Sequence, residues 1–230
     1  VAAAKLRRAQ ERIFTARPYA FKIREMIGHL RQRLDVSTHP LFQEREEIGG
    51  ALLIVVTSDR GLAGAFNANL LKVAEATIAE RFQAQRDAGT LRIVGVGRKA
   101  HEYFSKRGFT MVGDYQGVFN DLRFPLAGEI LDLAVEGFEA GDWDVVEVVY
   151  NEFKNTITQN RIAEQLLPIP AETFFTPVME DAADVDSDLN GQGSDVEYLF
   201  EPSADVLRNR LIPEYLQYQL WRAFLESNAS

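Results

Sequence analysis

The sequence contains no cysteine. That absence removes disulfides, thiolate metal sites and cysteine nucleophiles together. Histidine is scarce, with only His29, His39 and His101 in 230 residues, and no HExxH pair or other histidine cluster points to a metalloenzyme. Long apolar runs are missing too. Nowhere do about 18 uncharged apolar residues follow one another, so no membrane-spanning helix is expected. No charged-then-apolar leader follows Val1, and the final LWRAFLESNAS keeps helical periodicity without a glycine or proline stop. The sequence therefore reads as an internal segment of a longer chain.

What is present suits a globular chain: 46% of the residues are hydrophobic, enough for one sizeable core or a domain plus an extended element. The net charge of -9 hides an asymmetry. Between Val1 and Leu34 nine basic residues face only Glu11 and Glu25, which makes this segment +7 and leaves -16 for the remainder. A basic helix can meet nucleic acid, an anionic membrane surface or an acidic protein. The strongly acidic body would repel a phosphate backbone, which argues against nucleic acid.

The basic segment also carries a regular apolar stripe. Leu6, Ala9, Ile13, Ala16, Ala20, Ile23, Ile27, Leu30 and Leu34 are separated alternately by three and four residues. That is the 3.5-residue period of a left-handed coiled coil rather than the 3.6 of an ordinary surface helix. The alanines admit a close partner helix, and the arginines fall mostly outside the stripe. Pro18 should bend or loosen the helix without ending it. At about 1.5 Å per residue the helix would be roughly 50 Å long.

Beyond Thr38-His39-Pro40 the pattern alternates between strands, expected at 51–57, 91–96, 109–113, 144–150 and 162–168, and helices, expected at 65–86, 98–106, 121–139 and 204–228. This is an α/β domain. The near-continuous apolar runs Ala51 to Val56 and Val145 to Val149 suit strands covered on both faces, whereas the mixed IAEQLL suits an edge. The organisation expected is a coiled-coil helix at 1–35, an α/β head at 48–175, an acidic loop and following segment at 178–203, and a final helix at 204–230. The acidic loop is read as solvated. Asp184, Asp186 and Asp188 alternate as in a calcium loop, but the glycine and closing glutamate that such a loop needs are out of place.

Two glycine turns look like chemistry. Gly95-x-Gly97-x-x-Ala100 follows a strand and opens a helix, the layout of a dinucleotide fingerprint, with Asp114 in the place of a ribose-binding acid and Arg98 and Lys99 within reach of phosphate. The acid comes early and the helix is short, so a packing turn is the alternative. In VTSDRGLAGAFNANLL, Asp59 and Arg60 could serve as an acid and an anion clamp. Ser58 lacks the G-x-S-x-G elbow and an identifiable base. The competing reading is a strand-to-helix turn in which Asp59 bonds local amides while Gly61 and Gly64 permit a tight backbone.

The stretch TSDRGLAGAFNANL, together with VAAAKLRRAQ, ARPYA, GVGRKAHEYFSKRG, VVYNEFKNTITQ and EYLFEPSADVL, resembles the gamma subunit family of F-type ATP synthases, and the matches run in order along the whole sequence. The resemblance implies a Rossmann-like α/β domain inserted between two terminal helices that form an antiparallel coiled coil, with Leu6, Ile13, Ala20, Ile23, Ile27, Leu30 and Leu34 in its seam. It implies a non-catalytic rotor shaft with no cofactor. Its partners would be the alpha and beta subunits, the epsilon subunit and the ring of c subunits, at the cytoplasmic face of a bacterial plasma membrane. Residues expected to meet partners are Arg7, Arg8, Asp59 and Arg60, and Tyr198, Leu199, Phe200 and Glu201 near the ring and epsilon. Three large apolar residues in a row cannot all face one side of a strand, so some of Tyr198, Leu199 and Phe200 should be exposed. The far C-terminal helix and the start of the N-terminal helix of the family are absent, as is the cysteine-bearing insert of chloroplast members. The alternative function is a dinucleotide-binding domain using Gly95 to Ala100.

Overall fold

A computed structural model describes residues 2–33, 39–60, 65–170, 176–181 and 207–230. Leu34, the acidic loop with Asp184, Asp186 and Asp188, the segment from Tyr198 to Glu201, and Gly61 and Gly64 lie outside the described residues, as does the side chain of Leu30.

The chain opens with α1, Ala2–Arg33, which runs through Pro18 without a break. Five strands follow, interleaved with helices: β1 Ala51–Val56, α2 Phe66–Arg81, α3 Gln83–Asp87, β2 Leu91–Val96, α4 Arg98–Ser105, β3 Thr110–Met111, α5 Phe124–Ala140, β4 Val145–Phe153 and β5 Gln159–Leu167. A π-helical turn, Leu207–Leu211, leads into the last helix, α6, Ile212–Ala229. The strand order is β3-β2-β1-β4-β5, with β1 parallel to β2 and β4 at the centre and β5 antiparallel to β4 at the edge.

The expected elements are all present among these, with boundaries moved for identifiable reasons. The helix expected over 65–86 divides at Phe82, whose fully buried ring turns inward and whose backbone leaves the helical region. Helix α5 starts only at Phe124, with proline in its first turn where no intrahelical N–H is needed, and stops at Gly141 in the left-handed region. Strand β4 continues to Phe153, past the expected end at 150, because β5 pairs with it as far as Gln159.

Helices cover both faces of the sheet, which is why β1 is buried at every position. On one side Leu53 and Val55 pack with Leu70, Ile78 and Phe82 of α2 and its C-terminal end and with Phe104 of α4. On the other, Leu52, Ile54, Val146 and Val148 pack with α5, α1 and α6. Trp143 pins α5 to the start of β4, its indole N–H donating to Ala134 O at 2.8 Å. The fit admits only glycine at Gly137, where a Cβ would lie 2.0 Å from the Trp143 ring.

Helices α1 and α6 lie side by side and run in opposite directions. Ala9 and Arg12 share a cleft with Ser227 and Asn228, while Tyr19 packs at a tilt against Tyr218 and donates to Glu214. Of the apolar stripe, Ala9, Ile13, Ala20, Ile23 and Ile27 are buried. Leu6 is not: it is 41% exposed, on the rim of that cleft rather than in the contact. The arginines depart from expectation more sharply, because Arg24, next to Ile23, is 5% exposed. Helix α6 is enclosed nearly all round by α1, α5 and the sheet, with Trp221 to Ser227 buried without interruption. Placing Asp at Ile23 would bury a charge with no partner, so Ile23→Asp is expected to cost about 3–5 kcal/mol, read as a lowered urea midpoint in equilibrium unfolding.

Candidate functional site

The turn after β1 is held by its own side chains. Asp59 is 7% exposed and its carboxylate accepts three backbone N–H groups: Arg98 at 2.8 Å, Gly117 at 2.7 Å and Phe119 at 2.9 Å. Thr57 Oγ1 accepts from Ala100 N at 2.8 Å, and Ser58 O from Lys99 N at 3.3 Å. The amides at the start of α4 are the ones that would cradle a pyrophosphate in a dinucleotide site. Here a carboxylate, a hydroxyl and a carbonyl of the neighbouring turn occupy them. The two glycines of the fingerprint serve this same contact, since a Cβ on Gly97, whose φ is +93°, would lie 2.3 Å from Thr57 O and one on Gly95 2.7 Å from His101 N. Asp114 is exposed and accepts from the backbone and side chain of Gln116. The geometry is that of a packing turn. Asp59 bonds amides at the start of α4 and in the segment from Gly117 to Phe119 rather than the local ones expected of it.

Beside this turn runs an open cleft of about 810 Å³, bordered by Arg8 and Arg12 of α1, Arg60, Ile157 at the β4–β5 hairpin tip, and Asn228. Arg7, Arg8 and Arg60 are exposed. Arg7 is paired with Glu11 on its own helix, at 3.0 Å. Asp59, buried and fully engaged, faces inward and does not present its carboxylate to the surface. Among the described residues no group of three or more acidic or histidine side chains is arranged to hold a metal ion.

The most concentrated chemistry lies where α1, α6 and the β4–β5 hairpin meet. Arg222 of α6 is 1% exposed. Its Nη2 donates to Tyr150 Oη at 2.8 Å and to Glu164 Oε1 at 3.0 Å, while Nη1 lies 3.8 Å from Glu152 Oε1 and 4.0 Å from Glu226 Oε1. Arg24 reaches from α1 to Glu164 Oε2 at 3.5 Å and donates to Gln219 of α6. Arg17 forms a two-pronged pair with Glu226 at 2.8 and 2.7 Å and also donates to Phe153 O. Glu226 in turn accepts Phe153 N at 2.9 Å. Three guanidinium groups thus face three carboxylates with no net charge.

Electrostatics follow from this enclosure. Burial works against the charge on Arg222, but the carboxylates of Glu164, Glu226 and Glu152 together hold its guanidinium protonated, above the ordinary arginine value. Burial also pushes the Tyr150 phenol well up, more than Arg222 draws it down, so it remains a neutral donor to Glu164 at 3.1 Å. Breaking one such pair leaves an uncompensated charge in a dry interior, at a cost of about 3–5 kcal/mol.

Sequence patterns carried faint signals of this cluster. Arg17 and Arg24 stand one heptad apart, Arg222 and Glu226 stand one turn apart inside an apolar helix, and Glu152 and Glu164 sit in strands where acids are depleted. None of these says which of the many charges turn inward. The turn yields a direct test. Asp59→Ala leaves three amides without an acceptor and is expected to destabilise the chain by about 2–4 kcal/mol, read in urea unfolding.

Comparison with known proteins finds relatives along the whole length of the chain. A family model described as ATP synthase matches residues 1–230. The ATP synthase gamma chain of Salinibacter ruber is 54% identical over 230 residues, covering 100% of this chain and 74% of that protein. The gamma chain of Chlorobaculum tepidum is 45% identical with the same coverage. Among solved structures, a chain of the Tetrahymena thermophila mitochondrial ATP synthase central stalk and c-ring superposes with a TM-score of 0.60 at 23% identity, covering 100% of this chain and 90% of that one. A chain of the Euglena gracilis mitochondrial ATP synthase rotor gives 0.51 at 16% identity, covering 99% and 86%. At these identities the likeness to the solved structures is one of fold. The full-length sequence matches carry more, and by them this chain belongs to the ATP synthase gamma chain family.

Proposed function

We propose that this chain works as the central rotor shaft of an F-type ATP synthase, carrying rotation of a membrane ring to the catalytic alpha and beta subunits. It is a non-catalytic subunit. The observation that carries the reading is mechanical: two antiparallel helices are locked to one face of an α/β head through a buried, charge-balanced cluster. On this reading α1 and α6 are the lower part of an antiparallel coiled coil, and the sheet with its helices is a Rossmann-like head at its foot. The domain limits follow as 1–35, 48–175, 178–203 and 204–230.

Partners are assigned on the same basis. The exposed bases Arg7, Arg8 and Arg60 suit an acidic protein surface in the alpha and beta ring, with Asp59 holding the turn that presents Arg60. Tyr198, Leu199, Phe200 and Glu201 would meet epsilon and the c subunits. Among the described residues no helix is long and apolar enough to cross a membrane, so attachment would be peripheral, through the ring. Bacterial relatives at 54% and 45% identity favour the cytoplasmic face of a bacterial plasma membrane. The dinucleotide reading is disfavoured by Asp59 and Thr57, whose side chains take up the amides it would need.

The full-length chain, tagged and purified from its own membranes in mild detergent, is expected to bring down alpha, beta, epsilon and c subunits in fixed proportion. Recovery as a free protein would overturn the reading. Changing Leu199 and Phe200 together to Ser is expected to keep the chain folded while weakening its hold on epsilon and the ring, so that proton-driven synthesis falls more than uncoupled hydrolysis. Loss of the fold, or equal loss of both activities in an intact complex, would place those residues in the core.

A further inference from the structure

The ion cluster is buried beside an extensive apolar core. Apolar packing already joins α1, α6 and the sheet, and a buried ion cluster generally adds little net stability over well-packed apolar residues of the same volume. What it adds is position. Apolar contact is non-directional, so a helix can slide or turn against its neighbour while keeping most of the buried area. A charge-assisted pair in a dry interior is directional, and displacing either partner uncovers a charge.

We propose that Arg17, Arg24, Arg222, Glu152, Glu164 and Glu226 form the joint through which torque passes between the head and both shaft helices. They are positioning residues for rotary coupling. The inference rests on the rotor reading above and deepens it. Arg17 and Glu226 close a three-element ring, since both bond the backbone of Phe153 in β4 as well as each other. Arg24 makes a second attachment seven residues along α1, about 10 Å further up the helix, to Glu164 of β5. Two attachments at different heights resist both rotation of α1 about its axis and sliding along it. Arg222 stands between them, sharing Glu164 with Arg24 and approaching Glu226, so the two attachments are linked through α6. The balance of three positive and three negative groups lets the joint be enclosed without a counterion.

The test uses the assembled complex carrying the full-length chain, with one population parental and others carrying Arg222→Met, Arg222→Lys or the charge-neutral pair Arg222→Met with Glu152→Gln, which keeps Arg17–Glu226 and Arg24–Glu164. Torsional stiffness is measured on single complexes between a bead on the ring and an immobilised catalytic hexamer, alongside ATP synthesis at limiting proton-motive force and unloaded hydrolysis. Arg222→Met is expected to soften the rotor and to lower synthesis more than hydrolysis, with Arg222→Lys recovering part of both because it keeps the charge without the fork. If Arg222→Met fails to assemble, the neutral pair, which leaves no unpaired charge, carries the same expectation. Parental stiffness and parental synthesis in every variant that assembles would overturn the joint. A parental complex in which this chain does not rotate would instead overturn the rotor reading itself.

Discussion

The packing of α1 and α6 on the sheet is organised around the need to keep three enclosed arginines neutralised. Arg17, Arg24 and Arg222 are largely shut away from water, where an unpaired charge is far more costly than any single apolar contact is favourable. Each helix must therefore present its charges level with their partners on the other helix and on Glu152 and Glu164. That requirement sets the register of α1 against α6 and of both against the β4–β5 hairpin. The apolar stripe of Ile13, Ile23 and Ile27 supplies the adhesion, while the ions decide which of the many adhesive registers is taken.

The opposite end of the same logic appears at the turn following β1. A strand ending in a glycine turn beside a helix N-terminus has the geometry of an anion site, because the first amides of a helix lack partners. In this chain the anion is supplied internally. Asp59 spans the start of α4 and the segment from Gly117 to Phe119, and Thr57 caps a further amide of α4, so the turn joins β1, α4 and that segment into one unit. The cost of burying a carboxylate is offset by three charge-assisted hydrogen bonds, and the turn lies against the cleft that Arg8, Arg12 and Arg60 border.

Periodicity and turn chemistry were local properties, and they were legible. The three-four spacing from Ala9 to Ile27 marked the buried side of α1, the near-continuous apolar runs marked β1 and the first half of β4 as covered on both faces, and the mixed composition of residues 162–167 marked an edge strand. The motifs around Ser58 to Leu62 and Arg17 to Ala20 pointed to the family. These readings held because each depends only on residues within a few turns or a few strand positions of one another.

Tertiary structure alone decided which charges are inside. Arg7 and Arg24 look alike in sequence, both on the basic helix and both beside an apolar stripe position, yet the first is solvated and the second is enclosed. The difference lies in what faces them. Arg24 meets Glu164 and Gln219, which are 140 and 195 residues away in the chain, and no local pattern announces that encounter. The same holds for Leu6, which keeps the heptad spacing but stands on the rim of the cleft, and for α6, whose enclosure on nearly every side depends on α1, α5 and the sheet converging on it. Sequence alone determined the elements, their apolar faces and the family, because those follow from spacing. Burial of a charge follows from finding an opposite charge in a place with no water, and only the assembled fold brings the two together.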